Sequence, residues 1–516
     1  MKRIVLSYLL SYLFVAANCQ TQLPNIVFIF SDDLSFRDLS IYGQREFQTP
    51  HLDALIRHST RFTQAYAGAP ECAPSRGTML TSLHVGHAPI RLNRSARGFE
   101  PLPDSAFTFA EMLQEVGYRT GVVGKWGLGY HDTEGRPTNQ GFDYHYGYLT
   151  HYEAHSYFPS VLYENGKTIP FPENNRHNIQ SLYDKERQPK VKAQSEASYD
   201  AHGKLHRADL TQATYAPDLL DDKALTFIDR NKHQPFFLYY TANLPHGPPI
   251  VDSLRQMTDK TDMDLLSREW GAMVQRLDIS VGKLIDKLKM EGLYDNTMIV
   301  FASDNGYAMH NPAKNTHGKR LWPDDQHIRN KGPFYGGKFS VWEGGMRVPF
   351  TIKMPRQRQP KLVSQPVWLL DLFPTFAELV AYPKTLKIDG YSLLGLMQGD
   401  HNAIPMHRVL YFYKRNEQAI RQGPWFAFRG HPTQDLQLFL PAEDQALQVN
   451  LADLYPAVTQ SLTKVMNEIH EPHPWYWNPG DDEVSFQGKI KRAESTGQTI
   501  RIYRPNGLKW MPWERK

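Results

Sequence analysis

Cysteine is nearly absent from this chain, whose 516 residues contain only Cys19 and Cys72. So few thiols cannot supply the disulfide framework on which small secreted domains depend. Long basic runs are absent too, and the formal net charge is only +4, which argues against nucleic acid as a partner. Beyond the N-terminal segment no stretch is long and apolar enough to cross a bilayer. We therefore expect no transmembrane span in the mature chain.

The N-terminal segment, residues 1–19, has the pattern of a secretory signal. A basic start, Met1-Lys2-Arg3, precedes an apolar stretch over residues 4–17. This pattern predicts an exported protein, periplasmic or secreted. Cys19 leaves two interpretations open, lipidation as in a bacterial lipoprotein or ordinary cleavage near this point. Asn18 is a poor residue to precede a lipidated cysteine, so we favour cleavage.

Removal of this signal would leave Cys72 as the single thiol of the mature chain, or nearly so. A lone thiol in an exported protein cannot be explained by a disulfide. It is either a leftover buried cysteine or a residue with a chemical role. The residues around Cys72 decide between these interpretations.

Apolar runs alternate with helical patterns along most of the chain, which predicts an α/β fold. The clearest helical pattern covers Gly271 to Glu291, with one apolar stripe. Continuous apolar runs are typical of strands buried on both faces. We therefore predict a large, mostly parallel sheet sandwiched by helices. Its predicted strands are Asn25–Phe30, Gly121–Val123, Pro235–Tyr240 and Thr297–Ala302.

The chain divides into a predicted catalytic domain, residues 24–395, and a smaller C-terminal α+β domain, residues 400–516. After Gly390 the pattern changes to short β-rich pieces and then a helical segment near 456–470. Two polar and aromatic stretches, 131–206 and 308–331, are predicted to be long loops over the sheet edge, where functional residues concentrate.

Polar side chains follow three of the predicted strands directly. Asp32 and Asp33 follow the first strand, His246 the third, and Asp304 with Asn305 the fourth. The carboxyl ends of parallel strands meet at one edge of a sheet, where ligands bind. Three carboxylates and an amide are hard oxygen ligands, so these residues predict a Ca²⁺ site, with Mg²⁺ the less favoured ion.

Cys72, Pro74 and Arg76 form a C-x-P-x-R motif, with TPHLDAL and RFT segments upstream. With this context the chain resembles the formylglycine-dependent sulfatases of the alkaline-phosphatase-like superfamily, from about Pro24 to Ala452. Further segments match in the family's order: Gly124–Gly129, Pro245-His246, Ser303–Gly306, Lys338, Glu343–Pro349, Asp371–Thr375 and Asp389–Leu393.

The resemblance implies that a maturation enzyme oxidises Cys72 to formylglycine, whose hydrate supplies a hydroxyl nucleophile for hydrolysis of sulfate monoesters. It also places modified Cys72 beside the metal with the four residues named above. Arg76 would hold the hydrate, with a salt-bridged helix residue as the alternative. Lys125 and Lys338 would clamp sulfate oxygens, and Lys338 or His246 would assist the departing alkoxide.

The chain departs from the family at Gly127, where many relatives have a histidine that helps the sulfated intermediate to collapse. The segment from His151 to Tyr157 offers two imidazoles nearby. We hypothesise that His155 compensates, with His151 as the next candidate. A role in binding substrate is the alternative for His155, His151 and Glu153.

Sulfated carbohydrate of the galactose or N-acetylgalactosamine type is the expected substrate, because an exported chain with long polar-aromatic loops suits a glycan. Two other functions stay open. A phosphonate or phosphate monoester hydrolase of the same superfamily can share the motif and metal site. A catalytically inactive sulfoglycan-binding protein is suggested only by Gly127.

Overall fold

The computed structural model describes residues 23–177, 213–247, 251–263, 265–306, 308 and 334–500. The predicted signal segment with Cys19, nearly all of the predicted loop at 308–331 and the C-terminal residues 501–516 lie outside them. Among the residues described, no helix combines the length and the apolar character that a bilayer span requires.

A ten-stranded sheet forms the centre of the described fold. Its five middle strands run parallel, as the sequence predicts, and antiparallel strands flank them on both sides. In spatial order the strands are β11 (Lys361–Val363), β2 (Thr60–Phe62), β10 (Phe350–Lys353), β9 (Thr297–Ser303), β1 (Asn25–Ser31), β8 (Phe236–Thr241), β4 (Arg119–Lys125), β5 (Tyr144–Tyr148), β6 (Val161–Glu164) and β7 (Lys167–Pro170).

Helices cover both faces of this sheet, which explains why the middle strands are apolar without alternation. In β1, Ile26 and Phe28 pack in one core, whereas Val27 and Ile29 pack in a second core on the opposite face. The helices of the catalytic part are α1 (Pro50–Arg57), α2 (Cys72–Thr81), α3 (Phe109–Glu115), α4 (Ala216–Asn231), α5 (Leu265–Met290), α6 (Glu343–Met346), α7 (Leu372–Leu379) and α8 (Leu394–Gln398).

The prediction of one long loop over residues 131–206 is wrong in its first part. Strand β5 extends the parallel sheet there, and β6 and β7 add an antiparallel hairpin to its edge. Asn165 and Gly166 form the hairpin turn, both with positive φ. An Asn-Gly pair is a strong hairpin signal, which the abundance of polar residues around it obscured. The remainder of this stretch, from residue 178, lies outside the described residues.

The C-terminal part is a smaller α+β unit, as predicted from its short β-rich pieces. Its four-stranded antiparallel sheet contains β13 (Leu410–Lys414), β14 (Glu417–Gln422), β15 (Trp425–Arg429) and β16 (Gln437–Phe439). Helix α9 (Pro456–Glu468) packs on this sheet through Leu462 and Met466. Helix α10 (Glu483–Ser495) was not predicted. The domain boundaries at residues 395 and 400 stay predictions. A separate two-stranded parallel sheet is formed by β3 (Ala65–Tyr66) and β12 (Val367–Trp368).

Candidate active site

Cys72 is the first residue of helix α2 and is buried, with Glu71 as the extended N-cap residue. Its Sγ lies 3.8 Å from Asp32 Oδ1 and 3.2 Å from the Lys338 ammonium. Burial raises the pKa of the Cys72 thiol to about 11, although Lys125 and Lys338 oppose the rise. The encoded thiol is therefore protonated at neutral pH, and a protonated thiol is a weak nucleophile.

Two neighbouring strands deliver a cluster of oxygen donors to the same edge. Asp32 and Asp33 follow β1, and Asp304 and Asn305 follow β9, its parallel neighbour in register. Asp33 has a positive φ of 64°, and its backbone N–H donates to Asp304 Oδ1 at 3.1 Å. This turn tightens the loop after β1 so that both aspartate side chains enter the site. All four residues are buried, as predicted for the sheet edge.

Two lysine ammonium groups neutralise this cluster. Lys125 Nζ lies 2.6 Å from Asp32 Oδ2, and Lys338 Nζ lies 2.6 Å from Asp33 Oδ1. Burial, followed by the charge of Asp304, raises the pKa of Asp32 to about 7. Burial also acts to raise the pKa of Asp33, but Lys338 outweighs it and the net pKa is lowered. The site therefore contains closely spaced acids whose ionisation depends on adjacent cations.

The donor set fits a divalent metal ion. Ligand atoms of Asp32, Asp33, Cys72 and His246 all lie within 4.8 Å of one another. Asn305 Nδ2 donates to Asp33 Oδ1, whereas the buried Asn305 Oδ1 has no hydrogen-bond partner among the described residues. An unsatisfied buried carbonyl oxygen beside carboxylates is a suitable ligand for a hard cation.

Arg76 is fully buried four residues along the same helix as Cys72. Its guanidinium donates to Asp304 Oδ2 at 3.0 Å, to the Lys125 carbonyl at 2.8 Å and to Thr241 Oγ1 at 2.7 Å. These are the contacts of a salt-bridged helix residue, which was the alternative interpretation of Arg76. Sequence reasoning missed Thr241, although it is the first polar residue after the apolar run of β8.

His246 and Lys338 meet on the other side of the thiol. Lys338 Nζ lies 3.1 Å from His246 Nε2, which is 3.3 Å from Asp33 Oδ2. His246 follows β8 and Lys338 comes from the segment before α6, so the fold joins residues far apart in sequence. Both were predicted as candidates to assist the leaving group, and their shared position beside Cys72 suits that role.

The loop after β5 places His155 at the site, whereas Glu153 accepts hydrogen bonds within the loop and from β6. The His155 ring stacks on His246, with centroids 4.1 Å apart and planes 9° apart. Glu153 accepts hydrogen bonds from the Thr150 backbone at 3.0 Å and from the Tyr163 hydroxyl at 3.0 Å. This geometry favours a role for Glu153 in fixing the loop over the predicted contact with substrate.

His151, and not His155, lies against the glycine that departs from the family pattern. Gly127 has a positive φ of 85°, and a Cβ added there would lie 3.5 Å from Arg76 Cδ and 3.6 Å from His151 Cβ. The buried His151 Nε2 has no hydrogen-bond partner among the described residues. Burial, then the charges of Lys125, Lys338 and Arg76, lower the pKa of His151 well below its usual value. Its imidazole is therefore neutral, with the unpaired Nε2 buried at the site.

Taken together, these residues define a hydrolytic enzyme for a tetrahedral oxyanion ester. Cys72 lies at a helix N-terminus, where the helix dipole favours an anion. Lys338, a carboxylate cluster suited to a cation and the imidazole of His246 lie beside it, and His155 stacks on His246.

Comparison with known proteins agrees with this class. The Sulfatase family model matches residues 24–382. N-acetylgalactosamine-6-O-sulfatase of Bacteroides thetaiotaomicron is 30% identical over 87% of this chain and 93% of its own length. Human N-acetylgalactosamine-6-sulfatase is 30% identical over 78% of this chain and 70% of its own.

A solved structure, Ps i-CgsB in complex with k-i-k-neocarrahexaose, superposes with a TM-score of 0.69 at 27% identity. It covers 92% of this chain and 98% of that one. The chain therefore belongs to the sulfatase family and is a sulfuric ester hydrolase.

Proposed function

We propose that this protein hydrolyses sulfate monoesters of sulfated carbohydrates with a formylglycine derived from Cys72 and a bound divalent metal, Ca²⁺ before Mg²⁺. The observation that carries the proposal is the position of Cys72 Sγ, 3.2 Å from Lys338 Nζ and beside Asp32. A hydroxyl on this side chain would face both the oxygen cluster and the cations that an attacked sulfate requires.

In the first step the hydroxyl of modified Cys72 loses its proton and attacks sulfur, and the bond from sulfur to the sugar oxygen breaks. In net terms one proton passes from the nucleophile to the sugar alcohol. Lys125 and Lys338 stabilise the negative oxygens of the sulfate group, and Arg76 holds Asp304 and the helix in place. A proton from His246 or Lys338 neutralises the departing alkoxide. A metal held by Asp32, Asp33, Asp304 and Asn305 would supply additional positive charge and lower the pKa of the nucleophile.

In the second step the covalent sulfate must leave. Loss of a proton from the second hydroxyl on the same carbon re-forms the aldehyde and expels sulfate, so this step needs a base. We assign that role to His151 before His155, because His151 lies against Gly127 and has an open, neutral nitrogen. His155 is stacked on His246 and is better placed to orient that ring.

The names of relatives and of a structural neighbour support a proposal for the substrate class. Two relatives at about 30% identity are named for sulfate at position 6 of N-acetylgalactosamine, and a structural neighbour was solved with a neocarrahexaose bound. We therefore propose a galactose- or N-acetylgalactosamine-type sulfate as substrate. We further propose that the protein is exported, to the periplasm or beyond, and that a formylglycine-generating enzyme matures it.

The test is a comparison of ester classes with protein co-produced with a maturation enzyme. Sulfated galactose and N-acetylgalactosamine should be turned over, with release of inorganic sulfate measured by ion chromatography. Phosphonate and phosphate monoesters of matched alcohols should be far poorer substrates. Faster turnover of phosphonate would favour the alternative hydrolase, and binding of sulfoglycan without any turnover would favour the inactive binding protein.

A further inference from the structure

We infer that a groove between the catalytic part and the C-terminal sheet binds a second, anionic sugar unit next to the sulfated one. This inference rests on the proposed function, which it deepens. The groove is open to solvent, has a volume of about 470 Å³ and is lined by Phe339, Lys414, Arg415, Asn416, Glu417, Gly430 and Trp477. A volume of this size is within the range of small-ligand sites.

The groove begins one side chain away from the nucleophile. Phe339 directly follows Lys338, and its backbone N–H donates to the Pro70 carbonyl at 2.9 Å. The ammonium groups of Lys338 and Lys414 lie 5.5 Å and 5.2 Å from the centroid of the Phe339 ring. Lys414 also forms an ion pair with Glu71, the residue before Cys72. The ring therefore lies within reach of a glycan whose sulfate is held by Lys338.

Arg415 supplies the recognition of charge. It is exposed at the turn between β13 and β14, and its guanidinium lies 4.9 Å from the centroid of the Trp477 ring. Trp477 is fixed in turn by donating to Asn416 Oδ1 at 3.1 Å. In the part of the chain that is described, no carboxylate or carbonyl accepts a hydrogen bond from Arg415. Its planar fork of donors, held on the indole face, is suited to a carboxylate or sulfate group.

The other lining groups suit the sugar itself. Phe339 is 38% exposed, so the exposed part of its ring can contact a pyranose. Glu417 also lines the groove, and its carboxylate is a hydrogen-bond acceptor suited to a sugar hydroxyl. A partly exposed aromatic ring, a carboxylate and an exposed arginine together favour an acidic saccharide over a simple aryl ester.

Arg415→Asn tests the inference with little backbone strain, because Arg415 has a φ of 55° and asparagine tolerates this conformation. The matched control is Arg492→Ala, which removes another exposed arginine lying over an indole, 4.4 Å from the centroid of Trp475 but outside the groove. Substrates are 4-nitrophenyl sulfate, a sulfated N-acetylgalactosamine, and trisaccharides in which the neighbouring unit carries a carboxylate, a second sulfate or no charge.

Arg415→Asn should raise KM about tenfold for the acidic trisaccharides, the size expected for one charge-assisted hydrogen bond. It should leave the monosaccharide, the aryl sulfate and the neutral trisaccharide unchanged, and Arg415→Lys should recover part of the loss. Comparison of the carboxylate-bearing and sulfate-bearing trisaccharides identifies which anion is preferred.

Equal effects of Arg415→Asn on charged and neutral trisaccharides, or an effect no larger than that of Arg492→Ala, would overturn the inference. A loss on every substrate would also overturn it, because Arg415 would then be structural. Failure of the proposed function looks different, since wild-type protein would then release no sulfate from any substrate.

Discussion

His151 lies beside the empty side-chain position of Gly127, with its Cβ 3.6 Å from the point where a Cβ would stand. A histidine at position 127 would begin next to Arg76. The charges of Lys125, Lys338 and Arg76 act on the imidazole of His151, so this ring lies near the same site. The loop after β5 thus brings an imidazole to a place where the segment after β4 has none.

His151→Ala should slow collapse of the sulfated intermediate much more than the first cleavage. Loss of general-base assistance costs roughly 10²–10⁴-fold, so sulfated Cys72 peptide should accumulate after a burst of alcohol release. Mass spectrometry of quenched reactions detects this adduct. His155→Ala is the matched comparison and should change leaving-group departure or KM without build-up. An adduct in His155→Ala and none in His151→Ala would reverse the assignment.

Cys72→Ala should abolish turnover while the protein stays folded, because one small buried side chain is removed at the sheet edge. Peptide mass analysis of active wild-type protein should show a mass at Cys72 lower than that of encoded cysteine, as expected for an aldehyde in place of CH₂SH. Circular dichroism confirms the fold of the variant. Active protein with an unmodified thiol would contradict the proposed nucleophile.

Local pattern was sufficient to predict most of this site. Asp32, Asp304 and His246 each follow an apolar run, so the parallel sheet alone brings them to one edge, and the helix at Cys72 follows from its motif. The contact between Arg76 and Thr241 was not predictable, because it depends on the packing of α2 against the end of β8. The sequence could not distinguish between His151 and His155 either, because spacing in an irregular loop does not determine where each ring points.

Asn305→Ala should weaken metal binding with little disturbance of the charge network. Its Oδ1 is the open buried acceptor of the cluster, whereas Asp304 also pairs with buried Arg76, whose release would destabilise the fold by itself. Ca²⁺ should raise the melting temperature of chelator-treated wild type, and the variant should need much more Ca²⁺ for the same rise. An equal rise in both proteins would exclude Asn305 as a ligand.

His145 predicts how acid affects stability. It is fully buried on β5, neither ring nitrogen has a hydrogen-bond partner among the described residues, and burial lowers its pKa to about 3. The unfolded chain, with a histidine pKa of about 6.5, therefore binds a proton between pH 6.5 and 3 that the folded protein excludes. The free energy of unfolding must fall as pH drops through this window, by about 1.4 kcal/mol per pH unit for this group.

His145→Leu should remove this contribution. At pH 7.5 the variant and wild type should differ only through packing, whereas at pH 5 the difference should shift in favour of the variant by about 2 kcal/mol. Urea unfolding of the two proteins at the two pH values measures this shift. Comparing the two pH values cancels any packing difference that is the same at both. His58→Leu, at an exposed position at the end of α1, is the control for replacing a histidine by leucine. If His145→Leu and wild type had parallel pH profiles, His145 would be protonated in the folded protein. Its buried ring, without hydrogen-bond partners among the described residues, argues against that result.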